Sequence, residues 1–368
     1  MKRFRIIVAF MAVCLSMSAA TKPGDREMET SACDRRINYT GRTLQTAEGV
    51  SFDWSGTSLR IRFEGRDISI RCSDTHGNWF NLWLDQEMGP REDKKIFVHS
   101  KDTVITLFEG LKKGVHEVIL QKRTEGEQGI FTLKSVITEK GLLEASGRKE
   151  RHIEFIGDSY TCGYGTEDVK GSHFSAATEN CNLTYAAIVS RYFGASFNLV
   201  SHSGQGIARN YDDYRPGYNM VERYAQTFDS QETPVWDAAV APYTPDIVVI
   251  YLGTNDFSTE KQPSLNAFTD KYQRLLKAVK ENYGDQVPVV CMASKCDDLL
   301  FDYVRHAVRT SGLGNVAFFG MTDFVHNNGD ELGSDWHPNY EGQRKVAMAL
   351  IPYLSTVTGW PLRDKEIR

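Results

Sequence analysis

Residues 153–165 read IEFIGDSYTCGYG. Ile153, Phe155 and Ile156 make a short apolar run of the kind that forms a buried strand, and Gly157-Asp158-Ser159 breaks it at its end. In open parallel sheets, sites gather beyond the carboxyl ends of the strands. A serine at this point is therefore placed for chemistry. Working outward, 196–201 and 246–252 (DIVVIYL) read as further strands, as do 287–292 and 316–319. Between them, 182–193 reads as an amphipathic helix, 265–282 as a long helix and 340–354 as a closing helix. Alternating strands and helices predict a parallel sheet with helices on both faces, a three-layer α/β/α domain over residues 150–362.

Upstream the rhythm is different. Residues 58–72 (SLRIRFEGRDISIRC) alternate apolar and polar on both sides of Gly65, which gives two strands and a turn. Residues 79–84, 96–97, 103–107, 116–120 and 131–138 continue the pattern, with glycines between. About eight short strands and no helical stretch predict a β-sandwich, of jelly-roll type, over 35–143. Residues 141–150 read as the linker.

The chain has 368 residues, 41% of them hydrophobic and 25% charged, as in an ordinary globular protein of two domains. Its formal net charge is −5 and no basic stripe stands out, so a nucleic-acid partner is not expected. Lys2, Arg3 and Arg5, the apolar run 6–16 and the small residues Ser18-Ala19-Ala20 read as a signal peptide over 1–20. The run is short for a membrane span, and no second one exists. The expected address is outside the cytoplasm, secreted or periplasmic. Six cysteines follow: Cys33, Cys72, Cys162, Cys181, Cys291 and Cys296. They permit either disulfides or buried free thiols, and their spacing matches no zinc site.

Three more segments recur in a fixed order after Ser159: Ser203-Gly204-Gln205-Gly206, Gly253-Thr254-Asn255-Asp256 and Asp335-Trp336-His337-Pro338. Each alone has a plain reading. Gly-Asp-Ser is also a strand-to-helix turn with a capping residue, glycine and asparagine are ordinary turn residues, and a loop histidine is usually only solvated. Together they supply a nucleophile, oxyanion donors and a base. Serine attacks only when a base takes its proton, and imidazole has the right pKa. His337 is the favoured base, ahead of His152, His173, His202 and His326. The Ser159 N–H, the Gly204 N–H and the Asn255 side chain can face a developing oxyanion. The stretch is not the GxSxG elbow, because Asp158 precedes the serine. Tyr160, Trp236 and Trp336 are candidate sugar contacts. Trp54, Trp79 and Trp83 are candidates on the sandwich, which is read first as a support. No metal or organic cofactor is called for.

The ordered set Gly-Asp-Ser, Gly, Asn and a final His resembles the SGNH (GDSL-like) hydrolases. With the sandwich in front, the run 156–165 and the segments 253–257 and 335–339 resemble carbohydrate esterase family 2. That resemblance covers roughly 35–360. It implies a jelly-roll domain packed on an α/β/α hydrolase domain, and removal of O-acetyl groups from acetylated polysaccharides such as xylan or glucomannan. It implies Ser159 as nucleophile, His337 as base, and Ser159, Gly204 and Asn255 as oxyanion hole. The chain departs from the wider pattern in one place. The orienting acid is expected three residues before the histidine, where this chain has Ser334. Asp335 is the first choice in its stead, with Asp330 and Glu331 behind it. The family also contains Ser–His dyads whose histidine is held by a backbone carbonyl. An acyl-chain lipase or thioesterase, a non-catalytic glycan-binding protein and a structural or adhesion module are the competing readings.

Overall fold

The computed structural model describes residues 27–230, 232, 234–259, 261–294, 298–321 and 329–368. The signal-peptide reading of 1–20, Cys296 and His326 lie outside the described residues.

Two six-stranded antiparallel sheets occupy residues 28–143. One runs Leu44–Thr46, Gly49–Phe52, Phe131–Thr138, Ile68–Asp74, Thr103–Phe108, with Met28–Ser31 also on Phe131–Thr138. The other runs Leu142–Leu143, Ser58–Gly65, Gly114–Lys122, Asn78–Leu84, Lys94–Val98, with Asn38–Thr40 also on Ser58–Gly65. Period-2 patterning decides which side faces in: Ile68, Ile70 and Cys72 are fully buried while Ser69, Arg71 and Ser73 are only half so. The inner faces share one core that includes Phe52, Phe63, Phe80 and Phe131. The two strands either side of Gly65 do not form a hairpin. They lie in opposite sheets, so the chain crosses the sandwich there. Five strands fall outside the segments read from the sequence; they are two to four residues long, too short to show alternation, and one of them, Leu142–Leu143, lies inside the expected linker.

Among the described residues, the second domain has five parallel strands in the order Ala195–Ser201, Arg151–Gly157, Ile247–Tyr251, Val289–Ser294, Val316–Met321. Helices Tyr185–Phe193 and Tyr340–Thr358 cover one face, and Leu265–Tyr283 and Asp298–Thr310 the other. Chain order and spatial order reverse at Arg151–Gly157, which pairs with strands on both sides. That switch point opens a crevice at the carboxyl ends, where Ser159 and Asn255 follow their strands. The Tyr185–Phe193 helix is enclosed by the closing helix and the sheet, so that all of its residues but Arg191 are buried. Helix Asp298–Thr310 was not read from the sequence, although Leu300, Val304 and Ala307 mark a buried face at helical spacing. Among the described residues no helix is long and apolar enough to cross a membrane.

The domains are joined through buried polar groups. Arg42 donates to the carbonyls of Tyr224 (2.6 Å) and Gln226 (2.7 Å), and Trp54 Nε1 donates to Thr227 O (2.9 Å). Asp53 accepts from the backbone of Asp229 (2.8 Å) and Ser230 (2.9 Å). These bonds all fall on residues 224–230 of the hydrolase domain. Trp54 also packs among the apolar side chains of that domain's core. Cys33, Cys72, Cys162, Cys181 and Cys291 are free thiols, all buried but Cys33.

Candidate active site

Ser159 opens a one-turn helix, Ser159–Cys162, directly after the first parallel strand. Asp158 caps it, accepting from Tyr160 N (3.1 Å). Gly163 closes it at φ 93°, and a Cβ there would lie 2.6 Å from Asn180 O, so the turn requires glycine. The closing helix holds the same turn from the other side. Gln343 Nε2 donates to Tyr160 O (2.9 Å), and its Oε1 accepts from Tyr185 N (2.9 Å). Ser159 is 5% exposed, at the floor of the crevice.

The segment before the closing helix brings His337 to this serine. His337 Nε2 lies 2.8 Å from Ser159 Oγ. Its Nδ1 lies 3.1 Å from the backbone carbonyl of Asp335. A carbonyl only accepts, so Nδ1 carries the proton and Nε2 is free to take one from serine. Burial pulls the imidazole below its ordinary pKa, and the bond to the Asp335 carbonyl opposes that. Tyr164 stacks on the ring at 4.0 Å, and Tyr160 meets it edge-on at 5.5 Å.

The carboxylate of Asp335, the first choice for an orienting acid, points elsewhere. It accepts from Tyr164 Oη (2.7 Å), from Phe174 N (3.0 Å) and pairs with His173 Nδ1 (2.9 Å). The Tyr164 hydroxyl, then His173, hold it below the usual carboxylate range. The cause is backbone geometry: Asp335 and Trp336 sit at φ 45° and 67°, which turns the Asp335 carbonyl toward the imidazole and its side chain away. Ser334 donates to Asp168 Oδ2. Asp330 is exposed, and Glu331 pairs with Lys345.

The segments that carry Gly204 and Asn255 are tied together by one residue that the sequence reading passed over. Asp256, fully buried, accepts from the backbone of Ile207 (2.8 Å), Ala208 (2.7 Å) and Arg209 (2.9 Å). Burial raises it to about 6, and those three bonds oppose the rise. It thereby ties the segment after Gly204 to the one that carries Asn255. Gly204 stands at φ 75°, in the left-handed region. Asn255 Nδ2 donates to Gln205 O (2.9 Å) and, at 3.3 Å, to Asp158 Oδ2. Burial pushes Asp158 up to about 7.

The remaining candidates divide. Trp336 is 71% exposed beside His337, with the Lys170 ammonium 5.1 Å above its ring. Tyr160 lines the imidazole. Trp236 is not with them: Arg42 stacks on it at 5.2 Å, because that buried guanidinium draws aromatic rings at the domain junction. Trp54 and Trp83 are fully buried, and Trp79 is half-buried against Phe97. His152 is paired with Asn198 (2.7 Å) and burial takes it down to about 4; His202 is paired with Asp229 (2.7 Å). Among the described residues, Glu125, Cys162 and Glu179 have metal-like spacing, within 4.8 Å. Glu125 Oε2 accepts from Ser203 N (2.7 Å) and Cys162 Sγ (3.5 Å), and Glu179 Oε2 accepts from Glu125 N (3.3 Å).

A sandwich followed by a three-layer domain with serine, histidine and amide donors converging on one crevice defines a class, the GDSL-like carboxylic ester hydrolases. Residues 155–345 match the model of the GDSL-like Lipase/Acylhydrolase family, and residues 39–145 match the model of the carbohydrate esterase 2 N-terminal domain. The structure of a family two carbohydrate esterase from Clostridium thermocellum, in complex with cellohexaose, superposes with a TM-score of 0.80 at 32% identity, over 88% of this chain and 100% of that one. The chain belongs to carbohydrate esterase family 2. It is also 32% identical over 332 residues to the cellulase/esterase CelE of Acetivibrio thermocellus, covering 88% of this chain but 40% of that protein. An acetylxylan esterase / glucomannan deacetylase of Cellvibrio japonicus is 26% identical, over 90% of this chain and 91% of its own length.

Proposed function

We propose that this protein is a secreted serine esterase that removes O-acetyl groups from polysaccharides of the xylan or glucomannan type. The observation that carries the proposal is the bonded pair Ser159 Oγ–His337 Nε2 at 2.8 Å, with the other ring nitrogen fixed on a carbonyl. The activity of the acetylxylan esterase / glucomannan deacetylase relatives supports the choice of substrate. His337 takes the Ser159 proton as Oγ attacks the acetyl carbon. The oxyanion forms against the Ser159 N–H, the Gly204 N–H and Asn255 Nδ2, whose long bond to Asp158 is the one it would replace. His337 then protonates the departing sugar oxygen. Water, activated by the same histidine, attacks the acetyl-serine and releases acetate. Asp335 acts here through its carbonyl, as the acceptor that holds the tautomer in a Ser–His dyad. Trp336 offers the sugar ring a flat apolar face at the mouth of the crevice.

Acetate release from acetylated xylan and acetylated glucomannan, by the protein and its Ser159→Ala variant, tests this. Release by the first alone is expected, unchanged by a chelator. No release from either glycan, or equal release by the variant, overturns it.

A further inference from the structure

The sandwich reaches in beside the serine's helix. Its Gly114–Lys122 strand runs on into residues 123–128, which enter the hydrolase domain beneath the one-turn helix of Ser159. We propose that Glu125, contributed by the N-terminal domain, is a positioning residue of the active site: its carboxylate holds the turn that presents the Gly204 N–H and ties that turn to the nucleophile's helix. The inference rests on the reading of Ser159, Gly204 and His337 given above.

One oxygen makes both connections. Glu125 Oε2 accepts from Ser203 N, one residue before Gly204, at 2.7 Å. The same oxygen accepts from Cys162 Sγ, the last residue of the serine's helix, at 3.5 Å. Glu125 is 1% exposed, so water offers Ser203 N–H little replacement. The residue is itself tightly placed. Lys122 Nζ, fully buried, donates to the carbonyls of Thr124 (2.6 Å) and Glu125 (2.9 Å). Thr124 Oγ1 donates to Asn78 Oδ1 (2.7 Å), and Glu125 N to Glu179 Oε2 (3.3 Å). The next residue is glycine because a Cβ at 126 would meet Asp229 Cβ at 2.4 Å.

Docking alone does not account for this residue. The contacts of Arg42, Asp53 and Trp54 clamp residues 224–230, and Arg123 donates to Glu179 O and to the Glu167 carboxylate. Glu125 instead spans two catalytic segments. Its charge has a second reach. Burial, then the charge of Glu125, push the Glu179 carboxyl up. Glu125 is also among the groups that raise His337 against burial, after the carbonyls of Asp335 and Ser334 and the charge of Asp335. The other titratable groups on that ring are Tyr160 and Tyr164.

The test compares Glu125→Ala, Glu125→Gln and Glu125→Asp with the unaltered protein and Ser159→Ala. It uses p-nitrophenyl acetate across pH, with thermal unfolding measured on each. Glu125→Ala is expected to lose about 100-fold in kcat with KM within twofold, the size of one misplaced oxyanion donor. Glu125→Gln keeps an acceptor for Ser203 N, so it keeps most of kcat and moves the acid limb of kcat/KM to lower pH. Glu125→Asp keeps the charge but withdraws the oxygen by one methylene, so it loses kcat with the limb in place. Where the alanine variant does not fold, the Gln and Asp pair decides. Unchanged kcat in folded Glu125→Ala or Glu125→Asp, a loss carried by KM, or an unmoved limb in Glu125→Gln overturns the proposal. An inactive parent, or an active Ser159→Ala, overturns the reading beneath it instead.

Discussion

The two halves of the Ser159–His337 pair are held in opposite ways. Ser159 stands on a turn fixed from below: a buried cap, a required glycine, a glutamine from the closing helix and the end of a central strand. His337 stands on a loop at the rim. Its neighbours Asp335 and Trp336 are in left-handed backbone, and the Asp335 carboxylate, half in solvent, clamps that loop to Tyr164 and Phe174. Ser159 borrows its position from the core, and His337 from surface hydrogen bonds. The difference fits the roles. In the proposed mechanism the serine must stay aligned with the oxyanion donors, whereas the imidazole must hand a proton to two different oxygens during one turnover.

The sharpest way to break the comparison is at its centre. Ser159→Ala should cost on the order of 10⁶-fold in kcat, as for a lost nucleophile, with little change in thermal midpoint; a loss under about tenfold would remove the pair from the chemistry. On the core-held side, Asn255→Ala should lower kcat by about 10²–10³-fold with KM nearly unchanged. Steady-state kinetics on an aryl acetate would check it. On the rim-held side, Asp335→Ala should cost about 10–100-fold, since it loosens a loop without removing a reacting group. Equal losses for Asp335→Ala and Ser159→Ala would mean that the carboxylate acts directly. The pH profile sharpens the same point. His337 works as the neutral form and its pKa lies below the ordinary imidazole value. Activity should therefore persist as pH falls through about 6.5 and fail only below it; a limb above that value would mean that burial does not govern the ring. The smallest effect on kcat, under about twofold, is expected for Trp336→Ala, which should raise KM for acetylated glycan and leave a small aryl ester unaffected.

The sequence made one side of this comparison far more legible than the other. Residues 153–165 carry their own strand, turn and serine, so local pattern and fold agree there. The parallel sheet, its closing helix and the all-β domain in front were visible for the same reason: periodicity is a local property. His337 drew attention by its place before the last helix, whereas the group that holds it was left open between the Asp335 carboxylate and a backbone carbonyl. A sequence displays side chains and hides carbonyls, so Asp335 drew attention for its carboxylate when its backbone makes the contact. Asp256 and Glu125 were out of reach for another reason. Their partners, Ile207 to Arg209 and Ser203, lie 47 to 78 positions away, and nothing in either residue's neighbours announces the bond. Trp236 misled because an aromatic near the crevice in sequence is in space a lid on Arg42.

The buried thiols give the molecule a built-in clock. Cys72, Cys162, Cys181 and Cys291 are free, enclosed and, by burial, weaker acids than a solvated thiol. A thiol-specific label added to the native protein should therefore react at once with Cys33, and with these four only as fast as each region opens. Cys72 times the sandwich, Cys291 the parallel sheet, and Cys162 the floor under the serine. Reading their rates separately would show whether the two domains come apart together or in turn.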